Sequence, residues 1–465
     1  MDLQEVKVFK PITRQNLGMG VYGTVDLFTD HDGKDKALKT SVSSQMLINE
    51  IDVMSTVDHP YIMKIERLIY DEKYPGGIGL VMPVVSQLEI MESYSDEERM
   101  VICHQVFNAL WWLLEQKILY LDLKPSNILI GSQFARGCEP TGKKPHILLS
   151  DFGLTARCLD VKVGTVLHRE VFPDVIRPYE RLQETGSHCN ESSVIWSAGV
   201  FLYHILSREY FIPSWSVSEI YNWIKENLID DGVRKQIFTD IFEEDGFAFI
   251  EDDGVRKNVV DLLVSTLNPD SKKRPTMLEV LQSPLFAGMD LVYGSSVKIT
   301  VPPCIDCPAS IERVIGLTTL VKCQFNDTMM FTAIDLVYRS ASLIIKKEAK
   351  YIYASNLACV IIAMNVHCCQ PERLLLPEQM LDLSNYIRYG VTIDLMMLAI
   401  TSIIRFLDGK LYRPHLRESL KGEGVIKLLN EIVPYPSTYY KTDIGLGTGV
   451  EYELSDILSQ RLLTI

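Results

Sequence analysis

Asp122, Lys124 and Asn127 stand close together in the run Asp122-Leu123-Lys124-Pro125-Ser126-Asn127-Ile128-Leu129-Ile130. A carboxylate can accept the proton of an attacking hydroxyl. An ammonium two residues on can neutralise charge on a phosphoryl group in transfer, and an amide five residues on can hold a magnesium ion. The apolar stretch after Asn127 reads as a strand that would anchor this loop. A second apolar run, His146-Ile147-Leu148-Leu149-Ser150, leads into Asp151-Phe152-Gly153, whose aspartate is a further candidate metal ligand.

Near the N-terminus, Leu17-Gly18-Met19-Gly20-Val21-Tyr22-Gly23-Thr24-Val25 is a GxGxxG between β-formers. Glycines let a hairpin lie directly over phosphate oxygens with its N–H groups pointing at them. Glycine-rich hairpins are common without any ligand, so this motif gains weight only from its company. A dinucleotide site needs a helix straight after the last glycine, whereas the segment from Thr24 to Asp30 reads as strand. Lys39 closes Ala37-Leu38-Lys39 in the next strand. A lone strand lysine is usually a surface charge, and the glycine-rich loop upstream reverses that reading. In the segment Ser44 to Val57, Leu47, Ile48, Ile51 and Met54 share one helical face. Glu50 lies in this helix and can pair with Lys39, holding the lysine against the α- and β-phosphates of a nucleotide.

Taken in order, these elements resemble the eukaryotic protein kinase family over residues 7–288. Ala37-Leu38-Lys39 matches the family's V-A-I-K strand. Pro178-Tyr179-Glu180 sits where the family has A-P-E, and Ile195-Trp196-Ser197-Ala198-Gly199 matches its D-x-W-S-x-G helix. Arg274 matches the arginine that pairs with the A-P-E glutamate. The K-P-S-N wording of the catalytic loop is similar to the serine/threonine branch. The resemblance implies ATP and Mg2+ as cofactors and protein substrates as partners. It places Leu17, Gly18, Gly20, Gly23, Val25, Ala37, Lys39, Met82 and Val84 around the nucleotide, with adenine beside Met82 to Val85. Asp122, Lys124, Lys39 and Glu50 become the catalytic set, and Asn127 and Asp151 the metal ligands.

Two departures fall together. The family's H-R-D reads Tyr120-Leu121-Asp122, and the D-x-W-S aspartate is Val194. In the family that aspartate bonds the backbone around the H-R pair, so the joint loss reads as a coupled hydrophobic repacking. The six residues that handle nucleotide, metal and phosphoryl group persist. An active serine/threonine kinase is therefore expected, with a pseudokinase scaffold that binds partners without phosphoryl transfer as the alternative.

The expected fold class is α+β: a bilobal kinase over 1–288, a linker rich in Pro, Gly and Ser at 289–310, and an all-α domain at 311–465. Asp335 to Arg339 and Ala354 to Cys369 resemble helices of a cyclin box. The lysine and glutamate with which cyclins grip their kinase would fall near Asn365 and Ile400, where neither residue is present. Two readings stand side by side, an anonymous helical domain and a cyclin-like activator that contacts the kinase in cis. DDGVRK occurs twice, at Asp230 to Lys235 and Asp252 to Lys257, and reads as two helix openings.

A net charge of −14 argues against nucleic acid as a partner. Ten scattered cysteines read as reduced thiols of an intracellular protein, cytoplasmic or nuclear. The single CxxC, Cys304 and Cys307, has no second pair to complete a zinc site. MDLQEVKVFK lacks the apolar core of a signal peptide. The charge-free stretch from Tyr351 to Pro371 contains Asn356, Asn365 and His367, so a buried helix is expected rather than a membrane span.

Leu121 has a regulatory consequence. In many kinases the H-R-D arginine holds a phosphate on the activation loop. Here leucine cannot, and the usual phosphothreonine position is His168, which leaves Thr155 and Thr165 as the only aliphatic hydroxyls between Asp151 and Glu180. Protein stripped by phosphatase is expected to keep nearly full transfer activity, and so is Thr165→Ala. A drop of about tenfold, ~1.4 kcal/mol of barrier, reversed on rephosphorylation, would show that the loop needs a phosphate.

Overall fold

The computed structural model describes residues 13–411 apart from 21–22, 31–32, 42–43, 71–73, 75–77, 88–93, 131–144, 157–159, 163–177, 183–187, 210–215, 244–251, 297–309, 311–313, 315–316, 318–326, 345–347, 368–380, 382–383, 385–389 and 408. Val21, Tyr22, Thr165, His168, Cys304, Cys307 and the stretch after Leu411 therefore lie outside the described residues. The chain divides into two compact units. The first comprises Met1–Ile69 and Gly79–Val297, and the second Tyr70–Ile78 and Lys298–Ile465.

The first unit opens on β1 (Thr13–Gly20), β2 (Gly23–Thr29) and β3 (Asp35–Ser41), then α1 (Ser44–Thr56), β4 (Val57–Asp58), β5 (Arg67–Tyr70) and β6 (Ile78–Pro83). Five of these strands form one sheet in the order β1-β2-β3-β6-β5. Leu38, Leu80 and Val81 of the sheet are fully buried, as are Leu47, Ile48, Ile51 and Met54 of α1. The apolar stripe expected from spacing is thus real. Asn49, Glu50 and Asp52 are buried too, so α1 is enclosed on every side rather than on one face.

After β7 (Ser86–Gln87) the chain becomes mainly helical. The helix α2 (Asp96–Glu115) starts with a capping box, in which Glu98 N–H donates to Ser95 Oγ and Ser95 N–H donates to Glu98 Oε2. Three acidic residues in its first turn complement the helix dipole. There follow the short strands β8 (Leu119–Tyr120), β9 (Ile128–Ile130), β10 (Ile147–Leu149) and β11 (Thr155–Ala156). They are paired β10-β9-β7 and β11-β8. β12 (Asp160–Lys162) pairs with β13 (His188–Asn190), on either side of α3 (Tyr179–Leu182).

The helix α4 (Glu191–Ser207) is apolar all round and buries nearly every side chain from Ser193 to Leu206, as the central helix of a core must. Beyond α5 (Val217–Asn227) lie α6 (Asp231–Glu243), α7 (Asp253–Thr266) and α8 (Met277–Leu281). Both DDGVRK copies open helices. Asp230 Oδ1 accepts from the N–H groups of Gly232 and Val233, and Asp252 Oδ1 from those of Gly254 and Val255. Residues 289–296, which composition assigns to a linker, instead pack on this first unit, where β14 (Ser295–Ser296) pairs with β4.

The second unit is all-helical among its described elements, with helices Asp327–Ile344, Ala349–His367 and Ile393–Phe406. The middle helix packs against the other two. It is long and apolar enough to cross a membrane by length and composition, and 67% of its most apolar window is buried inside the protein. Asn356, Asn365 and His367 are buried within it, and His367 Nε2 meets Thr332 Oγ1 at 2.7 Å. Asp335 and Arg339 form a buried ion pair at 2.7 Å, and Arg339 also donates to the carbonyls of Lys410 and Leu411.

Arg274 locks the helical part of the first unit. Its side chain is 0% exposed, lies 2.7 Å from Glu180 Oε2, and donates to the carbonyls of Ser192 and Asn268. The guanidinium also sits 4.9 Å above the Trp196 ring. Glu180→Gln leaves this charge buried without its counter-ion, so a loss of about 3 kcal/mol is expected. All five tryptophans lie in the first unit, and their fluorescence in a denaturant titration reads this loss directly.

Candidate active site

The glycine-rich segment is a two-stranded hairpin, with Gly18 opposite Val25 and Gly20 opposite Gly23. β2 follows Gly23 directly, as the sequence suggests, and no helix begins there. The glycines serve different ends. A Cβ on Gly23 would lie 2.1 Å from the Thr40 carbonyl, so the close approach of β3 demands glycine there. A Cβ on Gly18 would meet nothing within 4 Å among the described residues, so packing against them does not explain that glycine. Leu17 is exposed at 39%. Ala37 and Met82 are cross-strand partners in β3 and β6 and both are buried, while Val25 and Val84 are half-buried.

β3 and α1 bring Lys39 and Glu50 together at 2.7 Å, and Lys39 Nζ also lies 3.3 Å from Asp151 Oδ1. Burial opposes the charge on Lys39, but the Glu50 and Asp151 carboxylates outweigh it and hold the ammonium above the ordinary lysine range. Burial raises Glu50, with Lys39 pulling the other way. Burial also opposes ionisation of Asp151, and here Lys39 and Lys124 prevail and keep its carboxyl below the usual aspartate value.

The second cluster is built on the loop between β8 and β9. Asp122 is buried at 4% exposure, and burial raises its pKa while Lys124 opposes the shift. Lys124 Nζ donates to Asp122 Oδ2 at 2.7 Å, and Asn127 Nδ2 donates to Oδ2 at 3.0 Å and to the Asp122 carbonyl at 2.8 Å. Asp122 Oδ1 is buried with no hydrogen-bond partner among the described residues. With Nδ2 of Asn127 committed to Asp122, its Oδ1 is the atom left to meet a cation.

Tyr120, Ser150 and Asn49, which motif reading passes over, tie these groups together. The Asn127 carbonyl accepts from both Ser150 N–H and Ser150 Oγ at 2.9 Å. Tyr120 donates its hydroxyl to the Ser150 carbonyl at 2.7 Å and accepts from Asn127 Nδ2 at 3.3 Å. Its ring stands edge-on to Phe152, 5.6 Å between centres. Asp151 follows in the left-handed region at φ 59°, a conformation that aspartate tolerates better than most residues. Asn49 Nδ2 reaches from α1 to the Gly153 carbonyl at 3.2 Å. Tyr120 stands out in the sequence only as a departure from H-R-D, and no spacing marks Asn49 beyond its place beside Glu50.

Comparison with known proteins covers the same stretch. The profile of a family described as protein kinase domain matches residues 12–286. Calcium-dependent protein kinase 5 of Plasmodium falciparum is 27% identical over 300 residues, 61% of this chain and 46% of the relative. Calcium-dependent protein kinase 9 of Arabidopsis thaliana is 27% identical over 304 residues, 60% of this chain and 49% of the relative. Mitogen-activated protein kinase homolog NTF6 of Nicotiana tabacum is 23% identical over 327 residues, 66% of this chain and 78% of the relative. The chain spans about half the length of the calcium-dependent relatives it matches.

Tyr120→Phe keeps the ring against Phe152 and removes the hydroxyl. The Ser150 carbonyl then loses its tyrosine donor, and a loss of about 1 kcal/mol in denaturant unfolding is expected. Unchanged stability would show that the Tyr120–Ser150 bond does not hold the loop.

Proposed function

This chain belongs to the protein kinase family, and we propose that it transfers the γ-phosphate of ATP to serine or threonine hydroxyls of protein substrates. One observation carries the proposal. Asp122 keeps one carboxylate oxygen buried and unpartnered while Lys124 and Asn127 hold the other. A buried acceptor with no donor to satisfy it among the described residues is suited to the proton of an incoming hydroxyl. Lys124 in the K-P-S-N loop supports a serine/threonine acceptor.

The geometry supports one division of labour. The β1–β2 hairpin covers the phosphates, and the open space beside Gly18 lets its backbone approach them. Lys39, steadied by Glu50, meets the α- and β-phosphates. Asp122 orients the acceptor hydroxyl and takes its proton, and Lys124 compensates charge on the phosphoryl group in flight. Asn127 Oδ1 and Asp151 suit magnesium, which takes one or two carboxylates and completes its shell with phosphate and water. The side chain of Asp151 is 45% exposed and ionised at neutral pH, as such a ligand must be. When bound, the cation neutralises the developing charge on the phosphates. All groups invoked lie within residues 12–286, and the helical unit contributes none of them.

Transfer from ATP labelled at the γ-phosphate to casein or a basic protein, with Asp122→Asn as control, tests the proposal. A pseudokinase scaffold predicts no transfer by either protein. The pH profile adds a second check. Burial raises the pKa of Asp122, so kcat/KM is expected to fall on the acid side at a pH above that of an ordinary aspartate, as the base takes a proton. Lys124 pulls that pKa down, so Lys124→Met moves the acid limb to higher pH as well as lowering the rate. An acid limb that stays in place would remove Asp122 from the role of base.

A further inference from the structure

The segment 292–296 lies past the matched family stretch, and each of its residues but the last makes a side-chain-specific or sterically exacting contact. Tyr61 N–H donates to His59 Nδ1 at 3.2 Å, which leaves Nε2 of His59 to donate to the Val292 carbonyl at 3.0 Å. Asn108 of α2, in the orientation that satisfies both its amide atoms, donates to the same carbonyl at 2.6 Å and accepts from Val292 N–H at 3.0 Å. Both Asn108 and His59 are fully buried. Tyr293 meets the Trp111 ring edge-on, with centres 5.0 Å apart. A Cβ on Gly294 would lie 2.3 Å from the Asp58 carbonyl and 2.4 Å from the Trp112 indole, so only glycine passes between α2 and β4. Ser295 donates to Asp58 Oδ2 at 2.6 Å and pairs with Asp58 in the ladder, and Ser296 pairs with Val57.

The far side of this contact is the end of the Glu50 helix. α1 stops at Thr56 and β4 begins at Val57 with no connecting residue. Glu50 lies seven residues before Val57, two helical turns and about 10 Å along the axis. Whatever anchors Val57 to His59 therefore anchors the foot of the helix that carries Glu50. α2, which supplies Asn108, Trp111 and Trp112, belongs to the helical core and supplies a rigid base.

We propose that residues 292–296 are a positioning strap, which joins α2 to the foot of α1 and so holds Glu50 within reach of Lys39. The proposal rests on the reading of Lys39 and Glu50 as the phosphate-binding pair. The strap acts through that pair and touches no reacting atom. It makes the residues just past the kinase match part of the catalytic apparatus.

The test uses the full-length chain. Gly294→Val should expel the strap, because neither the Asp58 backbone nor the Trp112 ring can give way by the distance required. Ser295→Ala removes the hydroxyl bond to Asp58, and Ser295→Thr keeps the hydroxyl at an exposed position. Amide hydrogen exchange over 44–58 is expected to quicken about tenfold or more in Gly294→Val while α4 keeps its protection. KM for ATP should rise more than kcat falls. Ser295→Ala should shift both in the same direction to a smaller extent, and Ser295→Thr should match the parent. Unchanged exchange over 44–58 in Gly294→Val would overturn the strap, as would an equal loss of protection in α1 and α4, which marks general destabilisation. The exchange result stands even if the parent transfers no phosphate, so failure of the kinase reading and failure of the strap are separable.

Discussion

The buried Lys39–Glu50 pair is the constraint around which the cleft is arranged. Glu50 has a side chain only 4% exposed, so its charge survives only with a counter-ion in contact. That requirement forces α1 against β3, and the contact is secured by apolar residues on the same helix, Leu47, Ile48, Ile51 and Met54. Asp151 shares the lysine from the other side of the cleft, at 3.3 Å. A single ammonium thereby fixes the distance between a strand, a helix and the loop that follows β10. The same helix is held at two further points, by Asn49 to the Gly153 carbonyl and by β4 to Ser295 and Ser296.

The catalytic loop solves a different problem. Its base has lost the polar groups that the family places there, and Leu121 and Val194 are both buried, at 4% and 1% exposure. The polar bracing is carried instead by Tyr120, whose hydroxyl serves Ser150 and Asn127 while its ring rests on Phe152. The altered motif thus supplies, through Tyr120, a hydrogen bond to each of the two segments that carry Asn127 and Asp151.

The central helix of the second unit poses the question of how an apolar helix of membrane length is accommodated. Its polar residues Asn356, Asn365 and His367 are enclosed together with its aliphatic ones, and flanking helices cover it on two sides. His367 finds Thr332, and the neighbouring helix carries its own charge pair, Asp335 with Arg339. The Asp335–Arg339 pair has the i,i+4 spacing of a helix, whereas Thr332 and His367 are 35 residues apart and meet only through the packing of two helices.

By itself the sequence determined the identity and order of the chemical groups, because phosphoryl transfer restricts residue type at short spacing. Asp122, Lys124 and Asn127 are legible as a unit for that reason, and so are the strand character after Gly23 and the apolar stripe of α1, which are local patterns of period two and 3.6. Only the tertiary structure decided which groups meet across long separations. Lys39 contacts Asp151 from 112 residues away, and Arg274 contacts Glu180 from 94. Gly18 and Gly23 look alike in the motif, yet one faces open space and the other the Thr40 carbonyl. Val292 to Ser296 read as linker because Val-Tyr-Gly-Ser-Ser has turn composition, yet Gly294 is there to let one backbone pass another. The physical reason is common to all of these. Periodicity and residue chemistry act over a few residues of chain, whereas ion pairing, backbone clearance and burial depend on which surfaces the apolar core brings together.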